Sequence, residues 1–267
     1  MTGPRWRLVG DGARTGASNM ALDAGLLDGV ASGTAPPTVR FYGWSPPCLS
    51  LGRHQPAGAV DLRFCRREGI DVVRRPTGGR AVLHHLEVTY AVVAPVDGTV
   101  LPAAVQGAYR RIAGALVDGL RVLGVEAELA GESGNGPLPR PTEAIPCFRI
   151  PAGGEIVVRG RKLVGSAVRI RGGAVLQHGS ILLDWDGRLQ AGALGLADDS
   201  ALRPHVTTVA AELGDVPESG TIVRLLAGAL ERELGVELVL GPLTGAELRT
   251  AERRKAEFRV AMEAVAG

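Results

Sequence analysis

The chain has 267 residues, 45% of them hydrophobic and 22% charged, with a formal net charge of +2. That length suits one large domain or two small ones, and the near-neutral balance gives no electrostatic reason to expect nucleic acid or a membrane as partner. Three cysteines without a C-x-x-C pair, and an N-terminus without an apolar h-region, predict a reduced, cytoplasmic protein with neither export signal nor membrane span.

Trp6 to Val9 reads as a first strand. Ser18 or Asn19 is placed to cap a helix whose apolar stripe is Met20, Ala24, Leu27 and Ala31, at spacings of three and four. Two strands follow, Thr38 to Trp44 and Cys48 to Leu51, across Ser45-Pro46-Pro47. A short helix is expected over Pro56 to Glu68. Then comes the stretch from Arg74 to Tyr90. Ile70 to Val73 and Ala81 to Leu83 read as the two strands of a hairpin around Thr77-Gly78-Gly79. Paired glycines permit φ > 0 and let a ligand approach bare backbone. Arg74, Arg75, Arg80 and His84 crowd that turn with more ordered cationic or titratable groups than a hairpin needs.

Val88 to Ala94 is a buried strand, and Leu101 to Leu123 the longest helix, with Val105, Ala108, Ile112 and Leu116 on one face. A short strand at Val125 to Leu129 leads into a loop, Ala130 to Thr142, that delivers Pro146-Cys147-Phe148. Glu155 to Val158 and Lys162 to Arg169 form a hairpin across Arg159-Gly160, and Ala174 to Leu183 is a further strand. Asp184 to Pro204 reads as irregular. Thr207 to Leu213, Ser219 to Leu234 and a helix capped by Thr244, with Glu247 in the capping-box position, complete the chain, with Val236 to Leu240 as a strand between the last two. Phe258, Met262 and Val265 are expected to supply apolar contacts at the C-terminus. The pattern predicts one α/β domain on a mixed sheet over residues 1–267, with a small C-terminal appendage at 207–267 as the one subdivision.

The familiar nucleotide motifs are missing. There is no G-x-x-x-x-G-K-[ST], and Gly10, Gly12 and Gly16 miss G-x-G-x-x-G by one residue. His84, His85 and Glu87 are unsuited to hold a metal together, because adjacent strand residues point to opposite faces; no metal is expected. Cys147 is the best nucleophile candidate, since it sits at the end of a long loop before the hairpin that carries Lys162, one of only two lysines. A nearby cation favours the thiolate, and a desolvated lysine can serve as base. Cys48, in an apolar strand, and Cys65, on a helix, read as structural.

Three ordered motifs, R-R-P-T-G-G-R-A-V-L-H, G-R-K-L-V-G-S-A and L-Q-H-G-S-I-L-L-D, strongly resemble the lipoate-protein ligase superfamily, which also holds biotin ligases and octanoyltransferases. Asn19-Met20-Ala21-Leu22-Asp23 and Arg40 to Gly52 extend the resemblance over most of the chain. It implies a mixed sheet flanked by helices, related to the catalytic core of class II aminoacyl-tRNA synthetases, and a medium-chain acyl tunnel beside the glycine loop. Leu83, Val164 and Ala167 are candidate walls for that tunnel. Pro146-Cys147-Phe148, the TGGR form of the loop and His85 after His84 make the chain most similar to the cysteine-dependent, LipM-type octanoyltransferases. That likeness implies Cys147 and Lys162 as catalytic residues. It implies a substrate-binding set of Arg75, Thr77, Gly78, Gly79, Arg80, Ala81, His84, Gly165, Ser166, Ala167 and His178. The implied partners are an octanoyl-acyl carrier protein as donor and a lipoyl domain or glycine cleavage H protein as acceptor. No cofactor is required for thioester-to-amide transfer. Three alternatives stay open at this stage: an ATP- and Mg-dependent lipoate or octanoate ligase working through an acyl-adenylate, a lipoyl or octanoyl amidotransferase, and a non-catalytic acyl-binding protein.

Overall fold

The structure, a computed structural model, describes residues 3–131 and 155–261. The segment that carries Cys147 lies outside the described residues, as do Met262 and Val265. In chain order the elements are β1 (Arg5–Arg14), α1 (Gly16–Ala31), β2 (Thr38–Trp44), β3 (Cys48–Leu51), α2 (Leu62–Arg67), β4 (Asp71–Arg74), β5 (Val82–His84) and β6 (Glu87–Pro95). They continue with α3 (Val105–Val122), β7 (Glu128–Leu129), β8 (Ile156–Val158), β9 (Arg161–Arg171), β10 (Ala174–Leu182), α4 (Gly187–Ala193), α5 (Val209–Leu213), α6 (Ser219–Leu234), β11 (Glu237–Leu240) and α7 (Gly245–Phe258).

Eight strands form one mixed sheet in the order β11-β1-β2-β6-β10-β9-β8-β7, parallel only across β11-β1-β2. The fold class is therefore the expected one, a mixed sheet flanked by helices. One face of the sheet packs on α3 and α6 through Ile112, Leu116, Leu120, Ile222, Leu226 and Leu230, all buried. The opposite face receives α1, whose Leu26, Leu27 and Val30 pack with Ala91, Val93 and Leu176. α1 is also covered by α7, so nearly all of its sides are buried. The elements after Thr207 join the same body: β11 pairs with β1, α6 packs on α3, and α7 on α1. Among the described residues no helix is long and apolar enough to cross a membrane.

Several local signals act as their chemistry dictates. Arg159 and Gly160 take φ values of +47° and +74°, the two-residue turn geometry that matches strand twist. Thr244 and Glu247 form the reciprocal capping box of α7. Other expectations are corrected. α1 is capped by Thr15, because Asn19 is committed elsewhere, donating to Gly43 O and accepting from Arg40. α3 begins at Val105 rather than Leu101, since Pro102 disfavours a helical conformation at the residue before it. The stretch read as irregular contains α4, whose cap Asp186 accepts from Leu189 N.

The largest correction concerns the glycine turn. β4 and β5 do not pair with each other. β3 lies between them, parallel to β4 and antiparallel to β5, in a separate three-stranded sheet. The segment 75–81 therefore crosses over the end of β3 rather than closing a hairpin. This small sheet has its own core of Leu49, Leu51, Ile70, Val72 and Leu83.

Leu116 is fully buried between α3 and the sheet. Leu116→Ala is expected to cost about 3 kcal/mol. Urea denaturation checks this, with a lower midpoint at an unchanged slope.

Candidate active site

The site forms where the crossover loop of the small sheet meets the α1-bearing face of the large sheet. Its floor begins with a charged residue in an apolar strand. Arg40 on β2 is completely buried. Its guanidinium donates to Asp23 Oδ1 at 2.9 Å, to Asp11 Oδ2 at 2.7 Å and to Asn19 Oδ1 at 2.6 Å. Asp23 Oδ2 also accepts from the Tyr42 hydroxyl at 2.8 Å and faces His178 Nδ1 at 2.9 Å. Burial alone would raise the Asp23 carboxyl. The His178 contact, the Arg40 charge and the Tyr42 hydroxyl outweigh it and hold the group below the usual carboxylate range. Burial is the main cause that keeps the His178 imidazole below its ordinary value, against the opposing pull of Asp23. Burial, with Asp23 adding to it, pushes the Tyr42 phenol well up.

A second polar group lies beside the first. His84 Nδ1 contacts Glu87 Oε1 at 2.9 Å and Ser180 Oγ at 3.0 Å, and its Nε2 contacts Ser50 Oγ at 2.7 Å. Trp44 stacks on the His84 ring at 4.0 Å and donates to Thr89, which donates to Glu87. Both nitrogens of His84 are thus engaged by protein groups, as are those of His178, whose Nε2 contacts Thr77 Oγ1 at 2.7 Å.

Over this floor runs the loop. Arg75 is buried and donates to Gly78 O, Arg80 O and Ser50 O, at 2.6, 2.7 and 2.9 Å. Arg169 Nη1 donates to Pro76 O, and Arg53 N to Thr77 O. The carbonyls of residues 76, 77, 78 and 80 are therefore tied back into the protein. Gly78 and Gly79 are exposed, and among the described residues nothing accepts from their N–H groups. Gly79 takes φ +91°, and a Cβ there would stand 2.6 Å from Arg75 Nη2. A Cβ on Gly52 would stand 1.8 Å from Gly79 O, so the end of β3 must be equally bare where the loop crosses it. The outcome is a cationic arch in which two adjacent amides of exposed residues have no protein acceptor among the described residues, a geometry suited to an anion or a developing oxyanion.

Lys162 is nearly fully buried on β9, and its Nζ donates to Glu155 Oε1 at 2.5 Å. Gly165 leaves room for it; a Cβ at that position would lie 3.0 Å from Lys162 Cε. Gly165 pairs in register with Ser180, and Ala167 with His178. The structure thus brings Lys162, Gly165, Ala167 and His178 onto adjoining strands, with His178 touching Thr77 of the loop through Nε2 at 2.7 Å. It separates two of the expected residues from that group. Ser166 bonds Tyr90 on the α3 side of the sheet, and Ala81 packs in the core of the small sheet. Leu83 and Val164 are likewise interior to the two cores rather than on the loop-facing surface. Cys48 and Cys65 are both fully buried, and burial raises the Cys48 thiol well above its ordinary value and pushes Cys65 up to about 12, which favours the unreactive thiol form.

The sequence reading missed Asp23, Arg40, Ser50, Glu87 and Glu155 as partners in this site. A signal existed for two of them: Asp23 and Arg40 are charges within otherwise apolar elements, which burial tolerates only when they are paired.

The chain belongs to the lipoyl protein ligase A/B catalytic domain family, whose model matches residues 15–230. It is 40% identical over 263 residues to an octanoyltransferase LipM of Kyrpidia tusciae, covering 95% of this chain and 96% of that one. It is 39% identical over 270 residues to an octanoyltransferase LipM of Moorella thermoacetica, covering 98% of each. Among solved structures, a lipoate-protein ligase A bound with ATP superposes with a TM-score of 0.76 at 24% identity, covering 96% of this chain and 95% of that one. A bipartite lipoate protein ligase from Thermoplasma acidophilum gives 0.75 at 22% identity, with 96% and 93% covered. These two likenesses establish the shared fold.

Two expectations follow. Gly52→Ala is expected to lower stability by about 1–3 kcal/mol through displacement of the glycine loop, read by denaturant titration. The depressed His178 value sets a pH dependence. Below about 6.5, the ordinary histidine value, the unfolded chain takes up a proton that the folded chain resists, so stability falls with acid. Denaturation at pH 7.5 and 5.5 is expected to show a smaller acid loss in His178→Gln than in the wild type.

Proposed function

We propose that this protein moves an octanoyl group from the thioester of an octanoyl-acyl carrier protein to a lysine of a lipoyl-accepting protein, in the biosynthesis of protein-bound lipoate. The observation that carries the reading is end-to-end similarity to octanoyltransferases at about two residues in five. The acceptor is a lipoyl domain or a glycine cleavage H protein.

Cys147, in its Pro146-Cys147-Phe148 setting, is the nucleophile. Its thiolate attacks the thioester carbonyl, the carrier thiolate leaves and takes up a proton, and the acyl group rests on Cys147 as a new thioester. The acceptor lysine amine then attacks that carbonyl, loses a proton, and expels the Cys147 thiolate to give the amide. Thioester and amide exchange supplies the driving force, so ATP and Mg are not consumed. The Lys162 ammonium, anchored by Glu155, provides a fixed positive charge for the thiolate and for the tetrahedral oxyanion. The exposed amides of Gly78 and Gly79 are further donors to that oxyanion, and one such donor is commonly worth about 3–4 kcal/mol of barrier. Gly165 and Ala167 offer the small side chains that an acyl slot beside the loop needs.

Intact-mass spectrometry after incubation with octanoyl-acyl carrier protein, without ATP, tests the reading. A single octanoyl adduct is expected, released by hydroxylamine and lost in Cys147→Ala. Acceptor octanoylation only with free octanoate and ATP would replace this reading with a ligase.

A further inference from the structure

Two buried carboxylate–imidazole pairs stand beneath the glycine loop, and each ends on a hydroxyl. One runs Asp23–His178–Thr77 and the other Glu87–His84–Ser50, with 2.9 Å from carboxylate to ring and 2.7 Å from ring to hydroxyl in both. The second reaches the loop indirectly: Ser50 Oγ accepts from Arg75 Nη1, and Arg75 binds two loop carbonyls. The first reaches it directly, because Thr77 is itself a loop residue and is 1% exposed.

The proton positions in the first chain follow from its chemistry. Asp23 accepts from Arg40 and Tyr42 and, as a carboxylate, can only accept. His178 Nδ1 therefore carries a hydrogen. The neutral ring then presents a lone pair at Nε2, and the Thr77 hydroxyl must donate to it. The depressed values of both groups agree with an ionised carboxylate and an uncharged ring.

We propose that Asp23 and His178 are positioning residues that fix the Thr77 hydroxyl as a donor to His178 Nε2 and so hold in place the loop segment that carries the exposed Gly78 and Gly79 amides. The inference rests on the octanoyl-transfer reading for its kinetic test alone. The relay spans three elements: α1 supplies the carboxylate, β10 the ring and the crossover loop the hydroxyl. It sets the loop's direction from below, while Arg75, Arg169 and Arg53 N hold its carbonyls. With both ring nitrogens occupied, His178 acts through Thr77 rather than by donating to substrate.

Thr77→Val preserves the side-chain shape and removes the hydroxyl. It is expected to slow octanoyl transfer to Cys147 by about tenfold, with KM for the thioester changed by less than about twofold and the thermal midpoint nearly kept. Thr77→Ser restores the hydroxyl and is expected to recover most of the rate. His178→Phe is expected to cost a similar factor, and the double variant no more than either single one, because both break the same link. Histidine ring 15N spectra of the wild-type protein supply a readout that does not depend on activity: His178 is expected as the Nδ1–H tautomer, changing in Asp23→Asn. An Nε2–H tautomer, wild-type kinetics in Thr77→Val, a rate loss in proportion to unfolding, or losses that multiply in the double variant would each overturn the relay. Absence of any octanoyl adduct on the wild-type protein would instead overturn the transfer reading, and the ring spectra would still decide the relay.

Discussion

The constraint on which the structure depends is the ion pair between Arg40 and Asp23. Both side chains are fully buried. A guanidinium and a carboxylate in such a place are tolerable only when every hydrogen-bonding position is used, since a charge left without its partner inside the protein costs several kcal/mol. Here Arg40 reaches Asp11, Asp23 and Asn19, and Asp23 reaches Tyr42 and His178. The pair thereby joins the first helix to three strands of the large sheet. Its orientation sets His178, and through His178 the position of the glycine loop relative to the sheet.

The loop itself is shaped by a second use of arginine. A peptide's carbonyl and amide point in opposite directions, so each carbonyl tied back into the protein leaves the amide of the same peptide pointing away from its anchor. Arg75 does most of this, and its planar fork matches two carbonyls at once in a way that lysine cannot. The excess of arginine over lysine in this chain therefore has a local structural use, whatever its source. Lys162 is the exception, and the structure gives it a different neighbour: the carboxylate of Glu155, immediately before the preceding strand of the hairpin, beneath a glycine that makes space for the side chain.

Local chemistry was legible in the sequence, and long-range partnership was not. The Arg159-Gly160 turn, the Thr244 and Glu247 capping box and the Ala108, Ile112 and Leu116 stripe of α3 depend on neighbours within a few residues, and the structure forms them, although Val105, read as part of that stripe, is exposed. The glycine turn was correctly located yet wrongly paired. Two short apolar strands around a turn carry no mark that a third strand, more than twenty residues earlier, will enter between them. The same holds for the site. His84, His178, Thr77 and Lys162 stand in recognisable motifs. The carboxylates that orient them, Glu87, Asp23 and Glu155, are defined by contact, and Asp23 lies 155 residues from His178. Short α4, with glycines at both ends, lacks the periodicity from which a helix can be inferred.

The placement of β11 also bears on how the molecule meets copies of itself. A parallel strand added outside β1 caps a ten-residue strand with one of only four residues. At the opposite side the last described strand, β7, has two. A long uncovered row of peptide groups is a template for pairing with another chain, and a short one offers too few hydrogen bonds to hold it. β11 thus covers residues 5–8 of β1, and among the described residues the margin that β11 leaves on that side is shortened to residues 9–14.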